Sequence, residues 1–289
     1  MMNLVELWKE KLKAGAIRFD YDVLAIRSGD MHNAWGTVYY SEAREVYKCL
    51  VSQSERSVTF DPELMSRLKL ADFGGLVIAA NPNSLFPGHL VIYPKIKAPD
   101  LTGTDLLDIT RLAQQQPRLT FIHNMERSAA SIVDWAHYQA YAIEFPVENA
   151  EHILLDTLGG VSIIRTPEDF PAYALAIDSE NAELVSGILL RVLGFLSAEN
   201  PHGRRIPVNF IWKRNRVWIV PRSLRQSDLA ARYFGGLEMG GIFCLPNADE
   251  LRNYLPEALR KEVHTATFAC EPEHQAWFEE NLIRFCRLG

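Results

Sequence analysis

The chain has 289 residues, 48% of them hydrophobic and 23% charged, which is room for a sizeable core in one large domain or two modest ones. A net charge of -6 lacks the basic surplus of a general nucleic-acid binder, and no apolar run approaches the length of a membrane span, so neither nucleic acid nor membrane is expected as a partner. The four cysteines, Cys49, Cys244, Cys270 and Cys286, are too scattered for a disulfide framework, and the first residues mix acids with lysines where a signal peptide would be apolar; a cytoplasmic protein with reduced thiols is expected.

In chain order, Asn3 is placed to cap a helix through Lys13, with Leu4, Leu7, Trp8 and Leu12 on one side and Gly15 past its end. Residues 17–27 alternate as a strand would, before a turn at Gly29-Asp30, and a second strand-like run covers Thr37–Tyr40. Gly74-Gly75 leads into an apolar strand that stops at Asn81-Pro82; Phe86-Pro87-Gly88 turns the chain, and residues 89–94 return as the partner strand. Thr102 or Thr104 caps a helix reaching about Gln115, and Pro117 ends it. A strand at 121–124 follows. Residues 151–165 read as strand-rich around Gly159-Gly160, and a second half opens at Pro167. Asp178 or Ser179 is expected to cap a strongly apolar helix ending at Ala198. A loop holding Arg204 and Arg205 precedes a hairpin, residues 208–212 and 216–221, and two glycine pairs flank Glu238. Helices close the chain over 248–261 and 272–286.

The densest chemistry lies at 121–148. On an extended chain Trp135, His137, Gln139 and Tyr141 would share one face, setting an imidazole beside an amide. A neutral imidazole, with a reference pKa of about 6.5, is a good nucleophile toward phosphorus. An amide beside it can donate to a phosphoryl oxygen as charge develops there. Read from spacing alone, the same pattern also fits a strand with one satisfied histidine. Upstream, Arg127-Ser128-Ala129-Ala130-Ser131 is a loop of small residues with one guanidinium, and small side chains let backbone N–H groups approach an anion.

Trp135-Ala136-His137-Tyr138-Gln139 resembles the H-x-H-x-Q strand of the histidine-triad (HIT) superfamily, in its galactose-1-phosphate uridylyltransferase-like branch, which includes ATP adenylyltransferases (dinucleoside tetraphosphate phosphorylases) and GDP-hexose phosphorylases. HYQAY followed by FPVE is similar to the GDP-hexose phosphorylase pattern. NPNSLFPGHLVIYP at 81–94 resembles that branch's strand entry, and NFIWKRNRVWIVPR at 209–222 with FGGLEMGGIFCLP at 234–246 resembles the second half of its adenylyltransferase-type members. Asn124 precedes His137 by 13 residues, the spacing of the branch's pattern.

The resemblance implies an α+β, HIT-like fold in two similar halves, each an antiparallel sheet packed by helices. Residues 1–160 would carry the active strand and 161–289 would complete the site. It implies a nucleotidyltransferase or phosphorylase acting on a nucleotide or nucleotide sugar, with phosphate or a phosphorylated compound such as a sugar phosphate as acceptor. His137 would be the nucleophile and Gln139 its catalytic partner; Asn81, His89, Asn124, Arg127, Ser128, Ser131 and Arg222 would bind substrate. No cofactor is implied. The branch often carries a structural zinc, but Ser52 and Trp135 stand where two of its ligands would be, and the segment after Pro94 has no histidine, so no metal is expected. Trp135 would fill the vacated volume. If the residue at 135 also orients the nucleophile, a catalytically degenerate nucleotide-binding or regulatory protein is the alternative. Base, sugar and oligomeric state are not encoded in any motif.

Overall fold

The computed structural model describes residues 2–17, 37–40, 62–82, 84–130, 132, 134–198, 203–227, 230–231, 234–245 and 256–288. Residues 18–27 of the strand expected at 17–27, the Cys49 and Ser52 positions, Ser131 and the start of the helix expected at 248 lie outside the described residues.

Helix α1, Leu4–Lys13, begins where the Asn3 side chain accepts the Glu6 N–H. Strand β1, Thr37–Tyr40, and helix α2, Pro62–Leu68, lead into β2, Lys69–Phe73, β3, Leu76–Ala80, and β4, Leu90–Pro94. Helix α3, Gly103–Gln115, starts on a reciprocal cap between Thr102 and Asp105. Then come β5, Thr120–Asn124, β6, Tyr138–Tyr141, the turn of helix α4, Pro146–Asn149, and β7, β8 and β9 at Ile153–Leu158, Val161–Arg165 and Leu175–Asp178. Helix α5, Ala182–Ala198, precedes the hairpin β10, Val208–Lys213, and β11, Arg216–Pro221. The chain closes with α6, Gly236–Met239, β12, Ile242–Leu245, α7, Pro256–Ala266, and α8, Pro272–Arg287. None of the described helices is long and apolar enough to cross a membrane.

The expected cap of α5 is corrected. Asn181 supplies it, accepting the Leu184 N–H at 3.0 Å, because Asp178 is the last residue of β9 and pairs with Arg216 on β11 at 2.8 Å. Three short strands, β2, β9 and β12, have no counterpart in the sequence reading.

Ten strands form one sheet in the order β2-β3-β4-β6-β5-β10-β11-β9-β8-β7, with every pairing antiparallel. Its first five places come from the N-terminal strands and its last five from the C-terminal ones. The blocks meet where β5 lies against β10. Strand β7 pairs with β8 across the Gly159-Gly160 turn, inside the second block.

Residues directly opposite on adjacent strands share a face. One face therefore carries Phe121, Tyr138, Ala140, Phe210, Trp212 and Ile219, buried with apolar residues of α3, α5 and α8. The other carries Ile122, Tyr141, Ile211, Trp218 and Val220, buried against Phe145, Phe234, Leu237 and Val263. The seam between β5 and β10 is bonded at both ends. Lys213 lies 3.4 Å from Glu148 and donates to Thr120 Oγ1 at 3.1 Å, while Asn209 donates to Asn124 Oδ1 at 2.8 Å at the opposite end.

Helix α1 is fixed to this scaffold by Leu4 and Trp8, both fully buried, and by the Trp8 indole N–H, which donates to Ser84 Oγ at 3.1 Å. Ser84 in turn donates to the Asn81 carbonyl at 3.0 Å, so α1 supports the turn after β3. Trp8→Ala is expected to lower unfolding free energy by about 3–5 kcal/mol, and Trp8→Phe by only about 1 kcal/mol beyond its small packing loss, measured by urea denaturation.

Candidate active site

The strand reading of 135–141 holds only from Tyr138. Ala136 N–H donates to the Ala98 carbonyl at 2.7 Å, and the Trp135 indole N–H donates to the Pro94 carbonyl at 3.2 Å. These bonds draw the segment before β6 out of the ladder. The Trp135 ring packs edge-on against Tyr93, 5.5 Å between centroids, with the Lys97 ammonium 5.8 Å from it.

His137 therefore sits at the mouth of the β5–β6 pair. His123 pairs with Tyr138, and one further step of that register sets His137 opposite Asn124. Its ring is buried, and Nδ1 lies 3.1 Å from the Trp135 carbonyl oxygen. A carbonyl only accepts, so Nδ1 carries the proton and the lone pair is on Nε2. Burial pushes the His137 pKa below its usual value, with the Trp135 carbonyl opposing that shift.

Two clusters flank it. In the first, the Tyr141 hydroxyl donates to Gln139 Oε1, which leaves the amide nitrogen as the donor end of Gln139. The Tyr141 ring lies 4.5 Å from that of His89. The Leu85 N–H donates to His89 Nδ1 at 3.1 Å, and His89 Nε2 lies 3.1 Å from the Asn81 amide. Asn81, His89, Gln139 and Tyr141 are thus contiguous, although 58 residues separate Asn81 from Gln139.

The second cluster spans the seam. Asn124 Oδ1 accepts both the Asn209 amide and the Gly236 N–H, each at 2.8 Å. A Cβ at Gly236 would fall 2.9 Å from Ile122 Cβ, so only glycine lets this backbone come so close to β5. Asn209 also donates to the Ser128 carbonyl at 2.9 Å. The Ser128 hydroxyl donates to the carbonyls of Met125 at 2.7 Å and Val208 at 3.1 Å. The loop around it is bent by left-handed residues at Arg127, φ 61°, and Ala129, φ 65°, a costly conformation for non-glycine residues. The Arg127 side chain is exposed, while its carbonyl accepts the Gln226 amide at 2.9 Å. The N–H groups of Ser128 and Ala129, expected to face an anion, are bonded to the carbonyls of Met125 and Ala231.

Arg222, expected at the substrate, is fully buried beneath this cluster. Nε donates to the Ala266 carbonyl, Nη1 to Asn209 Oδ1 and the Phe234 carbonyl, and Nη2 to Gln226 Oε1 and the Ala230 carbonyl, at 2.5–3.0 Å. All five guanidinium N–H groups are used, so none is left for a phosphate. Burial pulls the Arg222 pKa down to about 9 despite the Glu238 carboxylate nearby. Asn209 and Gln226, which complete this network, were not singled out in the sequence. Asn209 opens a recognisable stretch, but no local signal shows that it meets Asn124. His123 was missed as well: its Nδ1 lies 2.8 Å from the His137 carbonyl, and burial pushes its pKa to about 4. Among the described residues no group of three His, Cys, Asp or Glu side chains is gathered that could hold a metal.

The architecture is a HIT-like α+β fold. No protein-family model matches the chain, and no curated protein matches its sequence. Among solved structures, yeast Ap4A phosphorylase Apa2 aligns over 93% of this chain and 95% of its own, with a TM-score of 0.65 and 14% identity. The same yeast enzyme in complex with Ap4A gives 0.63 at 14% identity, over 93% of this chain and 98% of its own, and with AMP 0.58 at 16%, over 92% and 94%.

Replacing Arg222 with lysine leaves at least two buried acceptors unpaired, and Arg222→Lys is expected to cost about 3 kcal/mol of stability by chemical denaturation. His123 in the unfolded chain takes up a proton near 6.5, which the folded chain refuses until about 4. Its contribution to stability is therefore complete above 6.5 and falls as pH drops, by about 3 kcal/mol at pH 4. Denaturation midpoints of His123→Phe should fall less steeply than wild type across that window.

Proposed function

We propose that this protein is a nucleotidyltransferase, of the phosphorylase kind, that cleaves a nucleotide or nucleotide-sugar phosphoanhydride through a nucleotidyl-histidine intermediate on His137. The observation that carries the reading is the Nδ1 contact of His137 with the Trp135 carbonyl. It fixes the tautomer and leaves the Nε2 lone pair for attack, while burial, which outweighs the opposing pull of that carbonyl, keeps the ring neutral at neutral pH.

Nε2 attacks the α-phosphorus, the bond to the distal phosphate breaks, and that bond's electron pair leaves on the departing oxygen. The Nδ1 proton stays in place and the Trp135 carbonyl stabilises the resulting imidazolium. Inorganic phosphate then attacks the phosphoramidate, and the N–P pair returns to Nε2. The Gln139 amide donates to a non-bridging oxygen as charge builds there, and Arg127, at the exposed edge of its loop, offsets distal charge. Asn81 and His89 form the wall beside Gln139. Ser128 and Asn124, tied into the seam, shape the loop beneath the phosphates, and Arg222 holds that seam from below. Ser131 belongs to the same loop by sequence. The two five-strand blocks supply opposite sides of this one site.

The bond that orients His137 comes from a backbone carbonyl, so the indole at 135 does not remove it. Trp135 also favours a second reading, a nucleotide-binding protein without turnover, because its ring fills the place of the first motif histidine. Since the yeast neighbour is an Ap4A phosphorylase, Ap4A is the first donor to test, followed by ATP, GTP and ADP- and GDP-hexoses. Intact mass after brief incubation should show a gain of one nucleoside monophosphate, lost in mild acid and absent in His137→Ala. Calorimetric binding without any adduct would instead establish the binding-only reading.

A further inference from the structure

His123 is a polar ring on the face of β5 whose neighbours are apolar. It is 4% exposed, and its ring lies 5.4 Å from that of Tyr138 and 6.4 Å, stacked, from that of Phe210. Phenylalanine would fill such a slot without the cost of burying an imidazole. What the imidazole adds is one hydrogen bond. Its Nδ1, necessarily the protonated nitrogen, donates at 2.8 Å to the carbonyl of His137. The ladder between β5 and β6 runs from Tyr138 to Tyr141, so His137 lies one residue outside it. The His123 side chain takes over at the first position the ladder does not hold.

We propose that His123 is the positioning residue of the nucleophile: it fixes the peptide plane of His137, while the Trp135 carbonyl fixes the ring. One bond without the other leaves a hinge. A free backbone lets the ring swing with its anchor, and a free ring lets Nε2 rotate away from phosphorus. Burial keeps His123 neutral, and a neutral Nδ1–H suffices for the bond. The inference deepens the nucleotidyl-histidine reading and rests on it for its kinetic consequence.

The test compares two variants. His123→Phe keeps the volume and removes the donor; His123→Asn keeps a donor at the δ position. In Ap4A phosphorolysis, His123→Phe should lower kcat at least about tenfold, because a small misplacement of a reacting group is costly, with KM and Ap4A affinity by calorimetry within about threefold of wild type. His123→Asn should recover kcat to within about threefold. Long-range 1H–15N spectra should show His137 as the Nδ1–H tautomer in wild type and His123→Asn, and as a mixture in His123→Phe. Undiminished kcat in His123→Phe, or equal losses in both variants, overturns the proposal. If wild type neither turns over nor forms an adduct, the nucleotidyl-transfer reading fails on its own, and the tautomers still decide. A shift in His123→Phe that His123→Asn reverses upholds the positioning role; an unchanged His137 tautomer overturns it.

Discussion

The constraint on which the rest depends is the seam where β5 meets β10. Two five-strand blocks become one sheet only if these strands stay in register, and a slip of one residue would turn every side chain of one block to the wrong face. Apolar contacts alone discriminate poorly between registers, because both faces are apolar and β-branched or aromatic side chains pack in several ways. Hydrogen bonds with fixed partners discriminate well. Asn124 and Asn209 meet at one end of the seam, and Thr120, Lys213 and Glu148 at the other. Arg222 stands beneath Asn209 with every N–H spent on protein acceptors. A buried guanidinium is expensive to desolvate, and its contribution here is geometric specificity. A second consequence reaches the site. The loop from Met125 to Ala130 is held to the second block through Ser128, Gln226 and Ala231, so the loop is placed by the same bonds that set the register.

The sequence made some of this legible. Runs such as LVIAA, LVIYP and NFIWK are rich in β-branched and aromatic residues and bounded by turn residues, and each is a strand. Asn3, and a threonine at 102 or 104, marked helix starts through local chemistry, which needs no knowledge of the fold; the structure selects Thr102 and adds Asp105 as its reciprocal partner. Asp178 shows the limit. It is a good capping residue by type, yet Arg216, 38 residues away, claims it once β9 lies beside β11, and Asn181 takes over the cap. Strand β9, LAID, is too short to show alternation. The same limit governs the site. His137 and Gln139 stood out because two residues of the right chemistry sat close in the chain. The links from Asn124 to Asn209 and from Arg127 to Gln226 join positions 85 and 99 residues apart, and no local pattern encodes them. Arg222 was legible as a basic residue at the end of a strand, but whether a guanidinium faces ligand or core depends on what packs over it.

Around His137 the polar partners are largely backbone. The Trp135 carbonyl accepts from its ring, and the His137 carbonyl accepts from His123. A device built on carbonyls tolerates side-chain replacement at the residue that owns the carbonyl, which reconciles an indole at 135 with an oriented imidazole at 137. Trp135 then has a separate job. Its N–H to Pro94 and its contact with Tyr93 tie the segment before β6 to the end of β4, keeping the carbonyl where the ring needs it.

Orientation and neutrality at His137 come from one cause, and they carry one cost. Enclosing the two histidines excludes water that would compete for their Nδ1 protons and disfavours the charged rings, so the lone pair on Nε2 persists at neutral pH. The same enclosure makes the folded state reject protons that the unfolded chain accepts. The fold around both histidines is therefore bound to weaken as the solution is acidified, and His123 contributes to that loss. A more open pocket would soften the penalty and, by admitting water to the Trp135 carbonyl, would loosen the bond that orients the His137 ring. The burial of His137 is best understood as a compromise on the side of orientation.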